Sequence, residues 1–191
     1  ERDTSSHAAL RERWSARHGS LAGLDAALAK ERERSHRALV FEAPKLDRVL
    51  PDVKLPSLAG DSIALASLRG KVAVIDFWGT WCAPCVESMP EIQKAHERFG
   101  PRGVQVLGFG VEFQPKTLEE ARELVGEFMR RHALTFRTVI DLQGKVAEGL
   151  MFPAFPTTWV VDRTGRVRYQ NAGSSEVTGL ILEEQLESLL K

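Results

Sequence analysis

From residue 72 the chain reads Val-Ala-Val-Ile-Asp-Phe, an apolar run interrupted only by Asp76. Apolar residues without alternation are the signature of a strand buried on both faces. The segment VQVLGFGV, residues 104–111, repeats that signature. Shorter strands are expected at FRTVI (136–140) and TTWVVD (157–162). The latter leads through the turn Arg163-Thr164-Gly165 into VRYQN, which completes a hairpin. Helices are expected from Cys82 to about Phe99, from about Thr117 to His132, briefly from Val146 to Met151, and from about Glu176 to Lys191. Thr117 with Glu120 three residues on forms a capping box for the second of these. The alternation specifies an α/β layered domain, with parallel strands early and an antiparallel hairpin late.

Two textures divide the chain. Residues 1–43 are rich in Arg, Glu and Ala, with Leu10, Trp14, Leu21, Leu24 and Leu28 at helical spacing. That pattern predicts a helix with one apolar stripe, broken in two at Gly19-Ser20 and continued by the charged stretch Arg32-Glu33-Arg34. The expected role is a helical extension packed on the main domain; the alternative is a docking or dimerisation element. From Pro44 the chain changes to short apolar runs punctuated by Pro and Gly, with Gly60-Asp61 as a hairpin turn. The second domain is therefore expected to span 44–191.

Charge narrows the function. Lys plus Arg number 26 and Asp plus Glu 26, so the formal net charge is zero. Nothing in this balance resembles the basic footprint of a nucleic-acid binder. No apolar stretch approaches the roughly 20 residues that cross a bilayer. The sequence begins at Glu1, with no initiator Met and no apolar leader, which reads as a trimmed chain, a processed mature protein or a domain cut from something longer.

The chain has two cysteines, Cys82 and Cys85, three positions apart. Two cysteines cannot build a disulfide framework, so their use is chemical or metal-binding. A closed zinc site needs four ligands, and the five histidines (His7, His18, His36, His96, His132) form no pair at ligand spacing. Redox chemistry is left, with no organic cofactor and no metal implied. In VAVIDFWGTWCAPC the cysteines open the helix that follows a buried strand. Free N–H groups and the dipole at a helix N-terminus favour an anion, so Cys82 is the expected thiolate nucleophile. Cys85, one turn in, is expected to be shielded and to resolve the mixed disulfide. Pro84 falls in the first turn, where a missing N–H costs nothing. Asp76 is a carboxylate in an apolar strand, where burial raises the pKa, and it is the candidate proton acceptor for Cys85.

The segment DFWGTWCAPC resembles the active-site segment of the thioredoxin superfamily, and FPTTWVVDRTGRV resembles its second signature. The hairpin LPSLAGDSIALASLRGK and the helical stretch after VQVLGFGV resemble the TlpA/ResA-like branch of thiol–disulfide oxidoreductases. The similarity covers about residues 45 to 190. It implies a thioredoxin-like α/β fold: a central mixed sheet flanked by helices, with an N-terminal β-hairpin and a helical extension. It further implies that Pro156 is a cis-proline, that Phe155 offers its backbone to a substrate peptide, and that Thr157 belongs to the same contact surface. Trp81 is expected on the exposed rim of that surface and Trp78 in the core. The partners implied are protein disulfide or dithiol substrates and a membrane electron donor. The setting implied is the periplasm or another extracytoplasmic space, with any membrane anchor outside this sequence. Two departures stand out. The branch often carries Glu three residues after the second cysteine, where this chain has Ser88, and the neighbouring Glu87 points elsewhere on the helix. Asn is frequent in the branch where this chain has Asp76. The rival readings are a peroxiredoxin-like antioxidant on the same fold and a docking module without turnover.

Overall fold

The continuous apolar run beginning at Val72 becomes strand β4 (Ala73–Trp78), every residue of which is buried. The structure is a computed structural model that describes residues 4–24, 26–27, 47–150, 153–175 and 177–191, with residues 4–10 as backbone only. The chain divides into two units, Glu1–Ala43 and Pro44–Lys191.

In the first unit, α1 (Thr4–His18) ends at Gly19, whose φ of +73° suits glycine. Trp14 and His18 stack on this helix with ring centroids 4.0 Å apart. Helical backbone resumes at Leu24 and is described as far as Ala27. The remainder of the expected second helix, with Leu28 and Arg32 to Arg34, lies outside the described residues.

The second unit holds a six-stranded sheet in the order β1-β8-β7-β4-β5-β6. Its strands are β1 (Arg48–Val49), β4, β5 (Gln105–Glu112), β6 (Arg137–Leu142), β7 (Thr157–Val161) and β8 (Arg166–Ala172). A separate hairpin pairs β2 (Lys54–Pro56) with β3 (Ser62–Ala64), and Gly60, φ +96°, sits in its turn. Strands β4, β5 and β6 are parallel neighbours, whereas β7 runs antiparallel to both β4 and β8. The early parallel and late antiparallel pattern is thus the one expected.

The helices are α2 (Ala83–Phe99), α3 (Leu118–Arg131) and α4 (Thr178–Leu190). Crossovers from β4 to β5 and from β5 to β6 proceed in one direction across the sheet, so right-handed connections put α2 and α3 on one face. The cores agree. Val74 and Trp78 of β4 cluster with Cys85, Met89 and Ile92 of α2, Val125 of α3 and Leu186 of α4. Ala73, Ile75 and Phe77 face the other way, against Leu55, Leu65, Leu150 and Trp159. Thr117 caps α3 by accepting the Glu120 N–H at 3.2 Å, while the Glu120 carboxylate returns to the Lys116 N–H at 2.8 Å. The short helix expected near 146–151 is a single 3₁₀ turn, Ala147–Leu150. Its preceding backbone is committed to Asp141, whose carboxylate accepts the Val146 and Ala147 N–H groups.

Candidate active site

β4 delivers its C-terminal end to the turn Gly79-Thr80-Trp81, and the chain then enters α2 at Cys82. Cys82 is the N-cap: its Sγ accepts the backbone N–H of Cys85 at 3.3 Å. An N-cap acceptor satisfies one of the orphan N–H groups of the first turn, and here that acceptor is the sulfur. Cys82 and Cys85 are joined as a disulfide, with Cα atoms 5.2 Å apart. The two cysteines differ less in accessibility than the sequence suggests. Cys85 is fully buried, and Cys82 keeps only 4% of its surface. The open surface at this helix start belongs to Ala83 and Pro84.

Asp76 lies two residues before Trp78 and two after Val74, so strand alternation turns its side chain to the face that carries Cys85. It has no exposure to solvent. One carboxylate oxygen accepts the Thr158 hydroxyl at 2.8 Å, and the other is buried without a hydrogen-bond partner. Burial pushes its pKa from 3.8 up to about 7, and the Thr158 bond opposes that rise.

The second signature arrives by sheet pairing. Phe77 is opposite Thr157 and Asp76 opposite Thr158, which brings residues 155–157 to the end of β4 where the cysteine turn begins. The Phe155–Pro156 peptide bond is cis. The ring of Trp81 meets that of Phe155 edge-on at 5.1 Å and that of Phe113 at 5.2 Å. Trp81 is 42% exposed and Phe113 47%, whereas Trp78 is fully buried. Thr157 differs from its expected place on a contact surface. It is fully buried, and its hydroxyl donates to the Ala154 carbonyl at 2.7 Å, so the side chain braces the loop. Pro156 is buried as well, which leaves Trp81 and Phe155 as the accessible members of the expected set.

These elements, a disulfide opening a helix beside a cis-proline loop on a mixed sheet, decide the kinship. Residues 46–170 match the AhpC/TSA family. The chain belongs to that family. It is 33% identical over 141 residues to the thiol-disulfide oxidoreductase ResA of Geobacillus kaustophilus, 74% of either chain being covered. Among solved structures it is similar to a DsbE-type thiol:disulfide interchange protein of Chlorobium tepidum, with a TM-score of 0.68 and 25% identity over 78% of this chain and all of that one. A secreted thiol-disulfide isomerase of Corynebacterium glutamicum matches with a TM-score of 0.62 and 27% identity, over 74% of this chain and 84% of that one. This AhpC/TSA-family chain is a thioredoxin-fold thiol–disulfide oxidoreductase of the ResA-like kind, with Cys82–Cys85 as its CxxC pair.

Sequence reasoning missed a second buried carboxylate. Glu112 ends β5 with 1% of its surface exposed and receives both the backbone N–H and the hydroxyl of Thr80, each at 2.8 Å. Burial raises its pKa, and the two Thr80 bonds oppose the rise. The preceding carbonyl, of Val111, accepts the indole N–H of Trp81 at 2.8 Å. The end of β5 thereby holds the turn that carries Cys82. Gly79 makes room for this: a Cβ there would lie 2.3 Å from the indole nitrogen. A carboxylate closing an apolar run was the available signal for Glu112, as a carboxylate inside one was for Asp76. The position of the usual branch glutamate is filled by Ser88, which is buried and donates to the Cys85 carbonyl at 2.9 Å.

Proposed function

We propose that the protein reduces disulfides of other proteins in an extracytoplasmic compartment and is itself recharged by a membrane-bound dithiol donor. The observation that carries this reading is the cap at Cys82: its sulfur receives an N–H at the N-terminus of α2, where a thiolate is stabilised. In the dithiol form the Cys82 thiolate attacks a substrate disulfide. A Cys82–substrate disulfide forms and one substrate thiolate leaves. Cys85 then gives its proton to Asp76 and attacks the Cys82 sulfur, which restores the Cys82–Cys85 disulfide and expels the second substrate thiolate. Two electrons pass from the protein to the substrate. Trp81 and the Phe155 backbone receive the substrate chain, with Pro156 and Thr157 fixing the loop beneath it. The secreted relative from Corynebacterium glutamicum supports the compartment.

The reduction potential tests this reading. Full-length protein is equilibrated in glutathione and dithiothreitol buffers and followed by tryptophan fluorescence, since Trp81 adjoins Cys82. Thioredoxin-fold enzymes span about −270 to −120 mV. A value near the lower end supports a reductant, and one near the upper end recasts the protein as a disulfide donor. Failure to form the intramolecular disulfide overturns the mechanism. Hydrogen peroxide is the control substrate: turnover faster than with protein disulfides would favour peroxide reduction over exchange.

A further inference from the structure

Beside the cysteine turn lies an open cavity of about 450 Å³. Val111, Phe113, Ala147, Pro153, Ala154 and Phe155 supply its apolar walls, with Gln143 and Glu148 among the polar lining. Its size is within the range of ligand-binding clefts, roughly 300–1,000 Å³. Two of its walls are aromatic rings already in contact with Trp81, so the cavity continues the surface that borders Cys82.

Its shape is held by hydrogen bonds. The Gln143 side-chain amide donates to the Phe113 and Pro115 carbonyls at 2.9 and 2.8 Å, tying the turn after β6 to the loop after β5. Asp141 fixes the 3₁₀ turn that carries Ala147, and Thr157 fixes the Ala154 carbonyl. A cavity braced on three sides needs little reorganisation when it is filled. The exposed faces of Trp81 and Phe113 form an apolar patch at its mouth, and such patches mark interaction surfaces.

We propose that this cavity is a specificity subsite that takes a bulky apolar side chain of the substrate polypeptide, within a few residues of the substrate cysteine. The inference rests on the disulfide-exchange reading above. A substrate chain lying along Phe155 with its cysteine at Cys82 must send neighbouring side chains past Phe113 and Ala154. Leucine, methionine or phenylalanine there would leave water for the apolar walls. An acidic side chain would lose its hydration and meet the Glu148 carboxylate.

The test uses full-length reduced protein and short peptides with one disulfide, identical except for Leu, Ser or Asp next to the cysteine. Second-order rate constants are read from tryptophan fluorescence, with glutathione disulfide as a substrate too small to reach the cavity. We expect the Leu peptide to react roughly tenfold faster than the Ser peptide, with the Asp peptide slowest. In Ala154→Glu, which places a charge on an exposed wall, the Leu-to-Ser ratio should fall towards one. Ala147→Phe, which fills the floor, should do the same and gives a second reading if either variant folds poorly. Equal rates for all peptides, with glutathione disulfide still reduced, overturn the subsite and leave the exchange reading standing. A preference that survives both substitutions also overturns it. If no disulfide is reduced, the exchange reading itself falls and takes the subsite with it. Self-association abolished by Ala154→Glu would assign the cavity to a second copy of the chain and overturn the proposal.

Discussion

Thr80 and Glu112, 32 residues apart, share two hydrogen bonds of 2.8 Å that close the cysteine turn onto the end of β5. Both bonds end on one buried carboxylate, so its removal leaves an N–H and a hydroxyl without acceptors. An unmet buried donor costs about 1–3 kcal/mol. Glu112→Ala is therefore expected to lower stability by at least that amount, while Glu112→Gln, which retains one carbonyl oxygen, loses less. Urea unfolding of the oxidised proteins measures both. Because the same turn carries Trp81 and Cys82, disulfide exchange by Glu112→Ala should also slow, and more than its stability loss alone explains at a temperature where it is fully folded.

Asp76 makes stability depend on pH in a predictable direction. Its pKa is raised in the folded protein, from 3.8 to about 7, so the folded state holds a proton that the unfolded state has released between those values. Stability is then greatest below the unfolded pKa and is lost as pH rises through the folded one. A displacement of this size corresponds to roughly 4 kcal/mol. Asp76→Asn cannot ionise. Its unfolding midpoint should gain on that of the parent as pH climbs from 4 to 8, and a constant difference would refute the assignment. The rate of mixed-disulfide resolution should rise with pH near 7 in the parent and lose that inflection in the variant.

Gly108 sits in the middle of β5, where alanine ordinarily improves on glycine by about 0.5–1 kcal/mol. Here the sign reverses. An added Cβ would lie 2.6 Å from the Thr138 hydroxyl oxygen, 2.9 Å from the Trp78 indole nitrogen and 3.0 Å from the Phe136 ring. Overpacking of this kind costs about 1–3 kcal/mol, which exceeds the gain. Gly108→Ala should therefore lower the unfolding midpoint and alter the near-ultraviolet circular dichroism of Trp78.

What the sequence revealed, and what it hid, follows from the range of each signal. β4, the capping box at Thr117 and the cysteine-led helix are written in residues a few positions apart, and periodicity or spacing exposes them. The pairing of Asp76 with Thr158 spans 82 residues and depends on β7 lying antiparallel beside β4. Thr80 and Glu112 meet only because β5 runs parallel beside β4. No local pattern encodes such neighbours. The reduced accessibility of Cys82 and the inward turn of Thr157 were hidden for the same reason, since both depend on which loops close over the site.

Among the described residues, every paired strand begins at Arg48 or later. The two-unit division at Ala43 and Pro44 follows the same boundary. A protein beginning at Pro44 should accordingly keep its sheet, its Cys82–Cys85 disulfide and its reduction potential. Its exchange rate with small disulfides should match that of the full chain. If those values hold while association with a partner or with itself disappears, the N-terminal unit is a docking element carried by an independent enzyme. If exchange or cooperative unfolding is lost instead, the helical unit completes the catalytic domain, and its apolar positions Trp14 and Leu24 become the first to substitute.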